Sequence, residues 1–209
     1  PAASSSFVVD TTAAAPVITS PSSGTVTNDQ TVPLTGTGEP GATVTVRDEN
    51  GDPVATAVVD GTGSWSAETT ALPEGVHTLT ATQTDEAGNT SPASAPVQVT
   101  VDLTAEPPVV DDLPDGGLTN DSTPEITGAG EPGATVTVEV DGTPAGTTTV
   151  DEDGTWTFTP TEPLTEGPHE VTATQTDEAG NTSGPSEPVE VVVDTTAPAA
   201  PVITSPGDG

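Results

Sequence analysis

The chain has 209 residues, 33 of them acidic and a single one, Arg47, basic, for a formal net charge of −32. Phosphate recognition needs Lys and Arg, so this balance excludes nucleic acid as a partner and, by the same argument, contact with an anionic membrane surface. Cys and Lys are both absent, which rules out disulfides and Lys–Asn isopeptide crosslinks, and only 2% of the residues are aromatic.

Any core must therefore be built from Val, Ile, Leu and Ala. Such cores are thin, and small domains that rely on them usually need reinforcement. Metal ions held by the abundant acids are the reinforcement left open. No apolar run is long enough for a membrane span and no signal peptide is visible. High acidity with few aromatics also fits disorder, but the periodicity of the chain argues against it.

Taken in chain order, Phe7-Val8-Val9-Asp10 matches Val191-Val192-Val193-Asp194, so residues 1–10 read as the last strand of a preceding repeat. Strands follow near 16–20, 31–36, 43–47, 54–59, 64–69, 76–84 and 96–102. Within them apolar and polar residues alternate at period two, as in Val44 and Val46 between Thr43, Thr45 and Arg47, which is the pattern of a half-buried strand. Gly and Pro punctuate the chain at short intervals and no stretch carries helical spacing.

Beyond residue 102 the same pattern returns. GEPGATVTV at 38–46 recurs at 130–138, and TATQTDEAGNTS at 80–91 recurs at 172–183, both offset by 92 residues. Asn28-Asp29 returns as Asn120-Asp121, His77 as His169, and Trp65 as Trp156, one residue short. A period near 92 is too long for a solenoid and suits one small sandwich. The expected organisation is a first repeat at 11–102, a second at 103–194, and the start of a third at 195–209, where PVITSP at 201–206 echoes 16–21. The chain begins in mid-pattern and reads as a cut from a longer array. The fold class expected is all-β, with tandem Ig-like antiparallel β-sandwiches of about seven strands each, arranged end to end.

The order PVITSP, GEPGATVTV, DGTW, GPHEVTATQTDEAGNTS and EPVEVVVDTTAP resembles the bacterial Ig-like repeats of giant cell-surface adhesins of the RTX type, over essentially the whole chain. That resemblance implies a stalk or extender segment, exported to the bacterial surface or secreted, serving cell adhesion or biofilm formation and stiffened by Ca2+ at interdomain junctions. Its implied partners are neighbouring repeats of the same chain in a monomeric rod.

Strand alternation in an Ig-like sandwich brings the second–third, fourth–fifth and sixth–seventh strand connections to the pole where the chain comes in. In the first repeat that pole collects Asp10, Glu39, Asp60, Asp85 and Glu86. In the second it collects Asp102, Glu131, Asp151, Asp153, Asp177 and Glu178. Two unit charges about 4 Å apart repel by roughly 4 kcal/mol at an effective dielectric of about 20, and a bound cation reverses the sign. The donors are all oxygens, which selects a hard ion. Calcium, accepting roughly six to eight oxygens in flexible geometry, suits ligands drawn from several loops better than magnesium does. The preferred ligands are Asp10, Glu39 and Asp85 at the first pole and Asp102, Glu131 and Asp177 at the second. The competing reading is that these acids are solvated loop charges that keep the protein soluble.

Other polar features read as structural. Asp48–Asp52 and Asp151–Gly154 lack the spaced glutamate of an EF-hand and fit turn chemistry. Gly88-Asn89 and Gly180-Asn181 read as the tight turn between the last two strands. His77 and His169 stand where Ig sandwiches often keep a tyrosine corner, and Trp65 and Trp156 read as core aromatics. No nucleophile–base arrangement is evident and every polar feature is duplicated, so no catalytic role is expected. Two other readings stand beside the stalk: a module binding glycan or protein through its loops, and an acidic, salt-adapted surface protein without specific metal sites.

Overall fold

The computed structural model describes residues 9–111 and 114–202. It is all-β and forms two compact units, Pro1–Thr104 with Glu178–Asn181, and Ala105–Asp177 with Thr182–Gly209. The expected strand at the start of the chain and the echo at 201–206 fall partly outside the described residues.

Among the described residues, the first unit contains eight strands: β1 (Val17–Ser20), β2 (Thr25–Thr27), β3 (Pro33–Thr37), β4 (Thr43–Arg47), β5 (Pro53–Val58), β6 (Ser64–Glu68), β7 (Gly75–Thr84) and β8 (Val97–Val101). They form a three-stranded sheet, β1-β3-β6, and a five-stranded sheet, β2-β8-β7-β4-β5. The second unit repeats this with β9 (Val109–Val110), β10 (Leu118–Thr119), β11 (Ile126–Ala129), β12 (Thr135–Val140), β13 (Thr143–Thr149), β14 (Thr155–Phe158), β15 (Gly167–Thr176) and β16 (Val189–Val193). Its sheets run β14-β11-β9 and β10-β16-β15-β12-β13.

The strand missing from the sequence reading is β2. The chain leaves the small sheet after β1, crosses over, and pairs Thr25–Thr27 parallel to Val99–Val101 of β8. β10 pairs with β16 in the same way. A parallel segment of three half-buried residues carries almost no alternation, so the pattern gave no signal for it.

The period-two alternation positions the core. In β7, His77, Leu79, Ala81 and Gln83 all point inwards, between half-exposed Thr78, Thr80 and Thr82. Leu34, Val44, Val46, Val99 and Val101 meet them from the facing and neighbouring strands. Burying a Val or Leu completely contributes about 1.5–3 kcal/mol, so the aliphatic core holds without aromatics beyond one tryptophan. Trp65 lies on β6 opposite Gly36 of β3. A Cβ at Gly36 would fall 2.1 Å from the Val17 carbonyl oxygen and 2.3 Å from the indole. Glycine there is therefore required by close approach, as it is at Gly128 beside Trp156.

The connection between β7 and β8 is more than the tight turn expected at Gly88-Asn89. That turn closes on an antiparallel bridge, Thr84 to Thr90. The chain then runs beside β7 up to β8, and two hydroxyls act as ladder partners: Gln83 N donates to Ser91 Oγ and Ala81 N to Ser94 Oγ, each at 3.0 Å. Ser183 and Ser186 repeat the device in the second unit.

Candidate metal centre

Asp85 is the inward position that follows Gln83 past the end of β7, which explains why an aspartate is only 7% exposed. Its carboxylate closes its own turn. Asn89 donates to Oδ1 through its backbone N at 2.8 Å and to Oδ2 through its side chain at 2.7 Å. The side-chain bond from Asn89, followed by backbone N–H donors, outweighs burial and holds Asp85 below the usual carboxylate range. The same Asn89 Nδ2 also lies 3.1 Å from the carbonyl of Asp10, tying the incoming chain to the turn.

Glu39 is placed by a turn that its sequence demands. In Glu39-Pro40-Gly41-Ala42, Ala42 N donates to Glu39 O at 3.0 Å, and Gly41 has φ +86°. Pro followed by a positive-φ Gly defines a type II turn. Underneath, Gln83 is buried and accepts the Glu39 N–H on Oε1 at 3.0 Å, while its Nε2 donates to Ala14 O at 2.9 Å. A Cβ on Gly38 would sit 2.4 Å from that Oε1, so Gly38 gives Gln83 its space.

These segments bring three of the expected ligands together. One oxygen from each of Asp10, Glu39 and Asp85 lies within 4.8 Å of the others, with Asp10 exposed, Glu39 half-buried and Asp85 buried. The donors are all carboxylate oxygens, one of them is held ionised, and no Lys exists in the chain to neutralise them. The set fits a hard divalent cation.

Asp102 directly follows β8 in the first unit, is half-buried, and donates its N–H to Thr27 O at 2.9 Å. Glu131 and Asp177 belong to the second unit. Glu131 N donates to Gln175 Oε1 at 3.0 Å and Ala134 N to Glu131 O at 3.0 Å, so its loop copies that of Glu39. Asp177 is 8% exposed beyond the end of β15, as Asp85 is beyond β7.

Other acids serve their own turns. Asp60 Oδ1 accepts from Thr62 N, Thr62 Oγ1 and Ser64 N, and Asp153 Oδ1 accepts from Thr155 N and Oγ1. Asp48 Oδ1 accepts from Asn50 N and Asp52 N, in keeping with turn chemistry. His77 is buried with Nε2 2.8 Å from Pro73 O, and His169 with Nε2 2.9 Å from Thr165 O; both hold the loop four residues back, as a corner residue does.

Sequence reasoning missed the two buried glutamines. Their signal was present: Gln83 and Gln175 occupy inward positions of a strict alternation, where a polar side chain must have fixed partners.

The two units are therefore Ig-like sandwiches of a modular, repeated kind. A family model described as a bacterial Ig domain matches residues 15–102, and one described as a bacterial Ig-like domain matches 112–195. The chain belongs to the bacterial Ig-like family as two tandem domains. It is 38% identical over 125 residues to Bacillopeptidase F of Bacillus subtilis (strain 168), a match covering 58% of this chain and 8% of that protein's length. Among solved structures, the BSP domain of a biofilm-associated protein is 25% identical, covers 88% of this chain and 30% of its own, and has a TM-score of 0.36. The fibronectin(III)-like modules of Clostridium thermocellum CbhA are 20% identical, cover 84% and 92%, and have a TM-score of 0.45.

Proposed function

We propose that this chain is a spacer segment of a larger extracellular bacterial surface protein, and that calcium bound by Asp10, Glu39 and Asp85 stiffens its first domain where the chain comes in. The observation that carries this reading is the convergence of three carboxylates from three separate segments to within 4.8 Å. In the absence of a counter-ion that arrangement is repulsive, yet Asn89 and Gln83 hold it in place. Bound calcium supplies the missing positive charge and links the incoming chain to two loops.

By the 92-residue repeat, Asp102, Glu131 and Asp177 are the sequence equivalents of the first set. Return of Glu39, His77, Gln83, Asp85 and Asn89 as Glu131, His169, Gln175, Asp177 and Asn181 supports a non-catalytic, modular role. The neighbours of such a segment are further repeats of the same chain, and its setting is the cell surface or the medium, where a repeated spacer serves adhesion or biofilm formation.

Calorimetric titration of the 209-residue chain with calcium tests the site directly. Binding is expected in the wild type and weakened at least tenfold at the first set in Glu39→Gln, with magnesium competing poorly. Heats indistinguishable from dilution in the wild type contradict the proposal.

A further inference from the structure

In the second unit both ring nitrogens of buried His169 face acceptors. Nε2 lies 2.9 Å from the Thr165 carbonyl and Nδ1 lies 2.7 Å from Asp141 Oδ2. A neutral imidazole has one N–H and can donate to only one of them, whereas the imidazolium donates to both. Asp141 reaches the ring because the β12–β13 connection is a two-residue turn, with φ +53° at Asp141 and +71° at Gly142. Its second oxygen accepts the Glu170 N–H at 3.0 Å. One ring thus joins the β12–β13 turn, the segment before β15, and β15 itself.

The first unit solves the same problem with different residues. On the longer β4–β5 connection, Glu49 Oε2 accepts the Thr78 N–H at 3.2 Å, the counterpart of the Asp141–Glu170 bond. Its Oε1, however, stands 3.4 Å from His77 Nδ1, and that nitrogen makes no hydrogen bond among the described residues.

The charged groups around His169 are all acidic. Asp141 comes from the turn, Glu170 from β15, and Glu190 from β16, and the four line one cleft. Glu170 and Glu190 are direct partners in the antiparallel ladder. Glu166, beside Thr165, is turned to the N–H and hydroxyl of Thr195. Arg47, the one Lys or Arg residue of the chain, belongs to the first unit.

We propose that the His169 imidazolium, held between Asp141 and the Thr165 carbonyl, is a protonation-dependent clasp that closes the β12–β13 turn onto β15. The first domain carries it only in a loosened form. The Asp141 hydrogen bond, with help from Thr165 O and against the effect of burial, raises the His169 pKa above its ordinary 6.5. A folded pKa above the unfolded one gives stabilisation that is complete below about 6.5 and is lost as pH rises through the folded value.

The test is nitrogen-15 NMR of the histidine rings in the 209-residue chain, in chelator so that calcium plays no part, from about pH 5 to 9. His169 is expected to stay doubly protonated to higher pH than the same residue in the urea-unfolded chain. Asp141→Asn, which tolerates the left-handed backbone, should lower that midpoint. The urea midpoint of the second domain, followed by Trp156 fluorescence in a Trp65→Phe background, should fall across the same window and lose that dependence in Asp141→Asn. A wild-type His169 midpoint at or below the unfolded-chain value overturns the proposal without any variant, and so does a midpoint unmoved by Asp141→Asn.

Discussion

The backbone N–H of Glu39 donates to the buried side chain of Gln83 at 3.0 Å, so the loop that carries a candidate calcium ligand is fixed from inside the sandwich. Gln83 is 1% exposed and its amide also takes the Ala14 carbonyl, which makes one residue a joint between core, loop and incoming chain. Gln83→Ala leaves both backbone groups without their partner. Glu39 is half-buried and Ala14 exposed, so water takes over part of each lost bond, and a loss of about 1–3 kcal/mol is expected in urea denaturation of the first domain. Calcium affinity should fall with it, although Gln83 offers the ion no ligand.

Gly36 and Gly61 should behave as opposites. At Gly36 a Cβ meets a carbonyl oxygen at 2.1 Å and the Trp65 ring at 2.3 Å, and neither can yield without moving a strand or the core. Gly61 has nothing within 4 Å. Gly36→Ala is expected to cost about 3 kcal/mol or more, whereas Gly61→Ala stays within about 0.5 kcal/mol of wild type. Thermal denaturation of the two variants side by side checks both values.

Asn89→Ala removes the strongest influence on Asp85 and the donor to the Asp10 carbonyl. A carboxylate whose folded pKa is depressed stabilises the fold above its unfolded pKa, and that contribution is lost as pH falls through the folded value. The stability difference between wild type and Asn89→Ala should therefore be largest near neutral pH and shrink below about pH 4. Urea denaturation in chelator at several pH values measures it; a difference constant with pH contradicts the role given to Asn89.

The sandwich was legible because Val, Leu and Thr alternate at period two and because whole motifs return after 92 residues. Asp10, Glu39 and Asp85 could be grouped because strand alternation alone assigns loops to poles. The parallel strand β2 was not legible, since three residues paired to β8 have no periodicity to reveal them. Nor was the partnership of Glu49 with His77 or of Asp141 with His169, because the two repeats reach it from connections of different length. The supporting shell was hidden for another reason. Gln83 bonds the Glu39 N–H and the Ala14 carbonyl, and Asn89 bonds the Asp10 carbonyl, all distant in sequence, and a linear pattern of polar residues does not identify such partners.

Thermal denaturation of the 209-residue chain in calcium, in chelator, and in sodium at matched ionic strength tests the calcium reading most directly. One site at a hundredfold excess over its dissociation constant contributes about 2.7 kcal/mol, and several sites on thin-cored domains contribute more. The expected result is a midpoint that rises by several degrees in calcium alone, with most of the first domain's share of that rise lost in Asp85→Asn. Coincident curves in calcium and chelator, or a rise that sodium reproduces, would instead make these acids solvated surface charge, and calcium would have no part in stiffening the spacer.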